Sequence, residues 1–247
     1  MVRGRIDKIS VSTLRDLPVI SLFSGAGGLD IGFRRAGFRI AVAVEQDTAC
    51  CQTLRHNVPD LPILCRDIRR VSGAEVLAAA GLSVGEPALV IGGPPCQSFS
   101  IAGMRRGLED ERGHLLFEFV RIVRETLPKG FLLENVKGLT NWDGGRALAL
   151  LLKTLQEPVE YSDTTYCYQV APPQILNAVD YGVPQLRERL FVVGNRLGKG
   201  YAFPSALPGA RKTVWDAIGA LPAPDEPSAQ AKSVARCIPD RIKRHGY

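Results

Sequence analysis

The 247-residue sequence predicts a doubly wound, mostly parallel α/β sheet. Three observations point there. Short apolar runs alternate with amphipathic segments across the first 200 residues, the pattern of strands buried on both faces. Glycine-rich turns follow two of those runs, at 25–28 and 92–93. Acidic residues (Glu45, Asp67, Glu134) stand at or just beyond the ends of three others, where open α/β sheets bind their ligands.

The elements follow in order. Residues 18–23 (PVISLF) read as a buried strand, the glycine turn 25–28 follows, and a helix is expected over about 29–36, with Gly37 as its stop. A second strand covers 38–45 (FRIAVAVE). A helix over 48–57 has Asp47 or Thr48 as its N-cap. A short strand at 62–65 ends beside Asp67, and an apolar strand at 88–91 runs into Gly92-Gly93-Pro94-Pro95-Cys96. Helical periodicity spans 113–127, and a strand at 130–133 ends in Glu134-Asn135. A helix at 145–155 and late strands at 164–171 and 189–194 complete the set. Six of the 17 prolines lie beyond residue 200, interrupted by a helical patch at 213–220. The division expected is a catalytic domain over 1–200 and a proline-rich arm over 201–247.

Hydrophobic residues make up 45% of the chain, enough for a core, and no apolar run approaches the roughly 20 residues that span a bilayer. The first ten residues lack the apolar stretch of a secretory signal, so a cytoplasmic location is expected. None of the six cysteines forms a C-x-x-C pair and the three histidines do not cluster, so no metal site is expected. The thiols should be free, small and mostly buried. A net charge of +6 suits a polyanionic partner without proving one.

Four motifs carry chemistry. The first is Phe23-Ser24-Gly25-Ala26-Gly27-Gly28, with Glu45 about 20 residues on, well placed for ribose hydroxyls. It is not G-x-G-x-x-G, and an aromatic residue precedes it. A loop for S-adenosylmethionine need not cradle a pyrophosphate, and the Phe23 ring can pack on adenine. Asp67 could accept from the adenine amino group. The glycine turn alone leaves the choice of nucleotide-type cofactor open, and a tight turn without a ligand would read the same way.

The second motif, 92–100 (GGPPCQSFS), places Cys96 after two prolines that fix the backbone and can aim a thiol at an electrophilic carbon. The alternative is a buried cysteine after a turn, the commoner fate of a single cysteine. In the third, Glu134-Asn135-Val136, the acid can donate a proton or hold a base ring; an ion pair is the plainer alternative. In the fourth, Gln185-Leu186-Arg187-Glu188-Arg189, the two arginines alternate, so both could project from one face of a strand toward phosphates or base edges. A solvated charged stretch is the plainer reading.

In this order the four motifs resemble the cytosine-C5 DNA methyltransferase family, over about residues 19–195. The resemblance implies a Rossmann-like, S-adenosylmethionine-dependent fold. Phe23, Gly25, Ala26, Gly27, Gly28, Glu45, Gln46, Asp67, Ile68 and Pro95 become its cofactor residues. Cys96 becomes the nucleophile that adds to C6 of a cytosine flipped out of duplex DNA, Glu134 the group that holds or protonates N3, and Arg187 a catalytic helper that holds the flipped base or the strand. The stretch 100–113 looks like the family's mobile catalytic loop. Its Ser100, Arg105, Arg106 and Arg112, together with Gln185 and Arg189, are the expected nucleic-acid contacts.

The sequence departs from complete members of that family in lacking two later motifs, one rich in arginine and glycine and one Gly-Asn-Ser-Val-like. A split enzyme, a fragment and an inactive homologue would each explain this. Intact catalytic residues argue against the inactive homologue; the split enzyme is the favoured reading, set in a restriction-modification system, with a second chain carrying the target-recognition region. RNA cytosine methylation and a non-catalytic DNA-binding subunit are the rival readings. A nicotinamide-dependent oxidoreductase fits the glycine pattern poorly.

Overall fold

A computed structural model describes residues 16–95, 114–209 and 211–221. The chain divides into two compact units, one of residues 1–176 with 188–204 and one of residues 177–187 with 205–247.

The first unit is built on five parallel strands, β1 (Pro18–Leu22), β2 (Arg39–Glu45), β3 (Ile63–Cys65), β4 (Leu89–Gly92) and β5 (Gly130–Val136), in the order β3-β2-β1-β4-β5. Beyond β5 the sheet turns antiparallel through β10 (Glu188–Asn195), which pairs with β8 (Gln169–Val170) and β9 (Gln174–Asn177). The strands are apolar on both sides because both faces are covered. Ile20, Leu22, Val42, Val44, Phe131 and Leu133 face one cluster, shared with α3 (Gly73–Ala80), α4 (His114–Thr126) and α5 (Arg146–Gln156). Val19, Ala43 and Ile91 face the other, shared with α1 (Gly28–Arg35) and α2 (Thr48–Asn57). The alternation along each strand follows from its period of two. No helix among the described residues is long and apolar enough to cross a membrane.

Most elements fall where the sequence places them, and Asp47 caps α2 by accepting from the Cys50 amide at 2.8 Å. One helix was missed and two expectations need correction. The helix α3 is unforeseen. It opens on a capping box, Ser72 with Glu75, and that spacing is its signal in the sequence. The expected strand at 164–171 is two elements. Thr164–Tyr166 is β7, paired with β6 (Val159–Tyr161) in a separate hairpin, whereas Gln169–Val170 joins the main sheet. The hairpin turns on Ser162 (φ 47°) and Asp163 (φ 61°), a left-handed pair that matches strand twist. Finally, Arg187 and Arg189 do not alternate along a strand, because β10 begins at Glu188. The Arg187 amide donates to Asn177 Oδ1 at 3.0 Å and its carbonyl accepts from Ala178, which gives that residue a turn-like setting in the second unit.

Among the described cysteines Cys51 is buried, Cys50 and Cys65 are half-buried and Cys167 is exposed, all as free thiols. Burial, with Cys65 alongside, pushes the Cys51 thiol up to about 12, so it is no nucleophile at neutral pH.

The second unit carries a short helix, α6 (Val214–Ile218), capped by Thr213. Arg211 pairs with Asp180 at 3.0 Å. Several large apolar side chains of this unit lie in solvent, foremost Leu186 (83% exposed) and Trp215 (78%).

Candidate active site

The site forms where the parallel strands end. After β1 the chain turns through Phe23 (φ 53°) and Gly25 (φ 54°), both left-handed, and Gly27 (φ 87°). Two of these positions suit glycine at no steric cost, whereas Phe23 is held there by its surroundings. Gly27 has a second reason: a Cβ there would stand 2.8 Å from the Leu54 side chain, so α1 and α2 could not pack as closely. The Gly25 amide donates to Glu45 Oε2 at 2.7 Å, while Glu45 Oε1 accepts from the amides of Gln46 and Asp47, each at 2.8 Å. Glu45 is thereby fixed by backbone, and Oε2, which accepts a single bond, keeps acceptor capacity for a ligand hydroxyl.

These ends enclose a cavity of about 300 Å³. Phe23, Glu45, Gln46, Asp67, Ile68 and Pro95, six of the expected cofactor residues, line it together with Val44, Asp47, Arg66, Gly93 and Leu115. Gly25 reaches the cavity through Glu45, Ala26 belongs to a separate small recess, and Gly28 opens α1. Asp67 lines the cavity with both oxygens on Arg69, at 2.6 to 3.1 Å, and these hydrogen bonds hold its carboxyl below the usual range. A ligand amino group would therefore share Asp67 with Arg69. The set contains one aromatic face, three carboxylates (Glu45, Asp47 and Asp67), the Arg66 guanidinium and an apolar wall. It fits an adenosyl group, and the volume lies at the lower end of small-ligand pockets. Among the described residues no cluster of His, Cys, Asp and Glu could hold a metal.

Beside the cavity, the turn 93–95 is pinned to the end of β5. Asn135, 2% exposed, donates from Nδ2 to the Pro94 carbonyl at 3.1 Å. Its Oδ1 accepts from the Val136 amide at 2.9 Å, which fixes its orientation. Gly92 is required by space, since a Cβ there would lie 2.7 Å from the Leu22 carbonyl oxygen. Gly93 faces Glu134: a Cβ on it would stand 3.1 Å from Oε2. Arg189 Nε holds Glu134 Oε1 at 3.0 Å, both side chains about a quarter exposed.

The structure thus joins Phe23, Glu45, Gln46, Asp67, Ile68 and Pro95 in one place, ties Gly25 to them through Glu45, leaves Ala26, Gly27 and Gly28 outside the cavity lining, and joins Glu134 to Arg189 beside them. Two roles were missed in the sequence. Asn135 fixes the turn that precedes Cys96, and Arg189, expected on nucleic acid, holds the candidate acid. The signal for the first lay inside the Glu134–Val136 motif; the second needed the antiparallel register that sets Arg189 opposite Val136 and brings it beside Glu134. Cys96, Ser100, Arg105, Arg106 and Arg112 lie outside the described residues. Gln185 and Arg187 belong to the second unit.

The glycine loop, the cavity and the acid facing the turn 93–95 all stand at the C-terminal ends of the parallel strands, where open α/β sheets bind their ligands. The profile of the C-5 cytosine-specific DNA methylase family matches residues 17–234, and the chain belongs to that family. It is 52% identical to the Type II methyltransferase M.AquIA of Picosynechococcus sp., over 93% of this chain and 98% of that protein. It is 42% identical to the Type II methyltransferase M.SacI of Streptomyces achromogenes, over 76% of this chain but only 50% of that one. Against other relatives, such as M.XorII of Xanthomonas oryzae, it likewise spans about half their length (46%). Among solved structures, a prophage-encoded protein of E. coli assigned as a DNA modification methyltransferase superposes with a TM-score of 0.69 at 31% identity, over 83% of this chain and 55% of that one. The S. pombe Dnmt2 methyltransferase shares the fold, with a TM-score of 0.55 at 18% identity.

Proposed function

We propose that this chain transfers a methyl group from S-adenosylmethionine to C5 of a cytosine in duplex DNA, through a covalent adduct between Cys96 and C6. The observation that carries this reading is Glu134, held by Arg189 and facing Gly93 three residues before Cys96. S-adenosylmethionine supplies an electrophilic methyl on a sulfonium. The remaining chemistry is the chain's own. The Cys96 thiolate adds to C6, because C5 alone is too weak a nucleophile. Glu134 holds or protonates N3, so negative charge does not build up on the ring. C5 takes the methyl as the methyl–sulfur bond breaks and a neutral thioether departs; a base then removes the C5 proton, and Cys96 leaves as thiolate. Arg189 orients the Glu134 carboxyl, and Asn135 keeps the turn before Cys96 in place. Phe23, Glu45, Gln46, Asp67, Ile68 and Pro95 hold the adenosyl part. Arg187 assists with the flipped base, and Ser100, Arg105, Arg106, Arg112 and Gln185 take the DNA.

Residues 1–200 form the catalytic domain in this reading, and 201–247 an arm leading toward a target-recognition region supplied by a second chain. Two observations support the second chain. The sequence spans nearly all of M.AquIA but about half of M.SacI and M.XorII. The second unit also exposes Leu186 and Trp215, apolar surface that a partner would cover. The names of the relatives, Type II methyltransferases, support a restriction-modification setting, which we read as cytoplasmic.

The test is transfer of labelled methyl from S-adenosylmethionine to duplex DNA and, separately, to tRNA. It is run with and without the polypeptide encoded beside this one. DNA should be labelled only with both chains present, and Cys96→Ser should abolish labelling. Label in tRNA alone would redirect the substrate to RNA, and full activity of the isolated chain would remove the second subunit.

A further inference from the structure

Beneath the glycine loop lies a buried polar chain that the methyl-transfer chemistry does not use. Asp30, on α1, is 4% exposed and sits below the turn that carries Phe23 and Gly25. Its Oδ1 accepts from the Ser21 hydroxyl at 2.5 Å. The Ser24 hydroxyl stands 2.9 Å from Ser21 Oγ and 3.1 Å from the Ser21 carbonyl oxygen, and donates its single proton there. Asp30 Oδ2 has no hydrogen-bond partner among the described residues. A buried carboxylate oxygen without a partner destabilises a fold, and an apolar residue of similar shape would cost less. Such a group calls for a reason other than stability.

Its place supplies one. Ser21 is central in the sheet, paired with Ala43 of β2 and Ile91 of β4. Ser24 lies between Phe23 and Gly25, two of the three left-handed residues of the loop. Phe23 carries a steric penalty in that conformation. A carboxylate at the end of the chain can only accept. Ser21 must therefore point its hydroxyl proton at Asp30, which leaves its oxygen free to accept from Ser24. The polarity of the relay is set by Asp30.

We propose that Asp30 is a positioning residue for the cofactor: through Ser21 and Ser24 it clamps the turn that presents Phe23 to the cavity and the Gly25 amide to Glu45. This rests on the reading of that cavity as the S-adenosylmethionine site. Asp30 touches no ligand and acts only through the loop.

The test compares the full chain with Asp30→Leu and Asp30→Asn. Three quantities are measured: hydrogen exchange of the loop amides 23–28, the dissociation constant for S-adenosylmethionine by calorimetry, and the melting temperature without ligand. Asp30→Leu should speed loop exchange and weaken S-adenosylmethionine binding by about tenfold or more each, the equivalent of one charge-assisted hydrogen bond. Its melting temperature should hold or rise. Asp30→Asn keeps an acceptor for Ser21 and should restore both loop exchange and affinity to near the wild-type values. Unchanged exchange in Asp30→Leu overturns the clamp. So does a fall in melting temperature that parallels the lost affinity, which is what a merely structural role gives. Altered exchange with unchanged affinity removes its link to the cofactor. If the wild-type chain binds no S-adenosylmethionine, the cofactor reading itself fails, and that failure is distinct because it appears before any substitution is made.

Discussion

Glu134 is held on one side by the Arg189 guanidinium and faces Gly93, in the turn that leads to Cys96, on the other. A carboxyl so fixed can meet N3 of a base without first losing rotamer freedom, the kind of preorganisation that general acid–base catalysis needs. Glu134→Gln keeps the shape and a hydrogen-bonding oxygen but cannot give up a proton. Turnover should fall by about 100-fold or more. Affinity for S-adenosylmethionine should not change, because Glu134 does not line the cavity at the strand ends. Single-turnover methyl transfer beside calorimetry separates the two, and a loss of affinity with turnover kept would reverse the assignment. At this scale the sequence was informative where chemistry requires a particular residue type at a strand end. Glu45, Asp67 and Glu134 were legible for that reason. Arg189 was given a role on nucleic acid because its partner comes from a strand some 50 positions earlier, a pairing that spacing does not encode. Asp30 was not legible: its neighbour Ser21 reads as one polar residue in an apolar strand, and only the packing of α1 on β1 joins them.

The elements hold the site by close approach of backbones. β4 ends on Gly92, which lies against both the end of β1 and the ring of Phe119 on α4. Gly92→Ala would put a methyl group 2.7 Å from the Leu22 carbonyl oxygen and 3.2 Å from Phe119. Relief requires β4 to move from β1, at about 1–3 kcal/mol, read as a lower denaturant midpoint with an unchanged slope; an unaltered midpoint would mean the strand end is loose. The central strands were legible because burial on both faces leaves continuous apolar runs, and α2 was legible to the residue because Asp47 marks its start. Of the sheet's antiparallel edge, β10 was legible as the late strand at 189–194, whereas β8 and β9 were not separable. β8 and β9 have two and four residues, too short for a period to show. The helix α3 is half alanine, with single valine and leucine residues and no broad polar face, and only Ser72 with Glu75 announces it.

For the molecule as a whole, the family follows from the profile match over residues 17–234, and the parallel sheet sets the cavity and the turn that leads to Cys96 side by side. The chain covers about half the length of M.SacI and M.XorII and nearly all of M.AquIA. The central claim is that Cys96 forms a bond to C6 of cytosine. Duplex DNA with fluorine at C5 tests it most directly, because after methyl transfer the base finds no C5 proton to remove and the thiolate cannot leave. Incubated with S-adenosylmethionine and the adjoining polypeptide, this chain should become joined to the DNA, and the joined peptide should carry the nucleotide on Cys96. A joined peptide that maps to another residue, or methyl transfer with no covalent complex, would contradict the account.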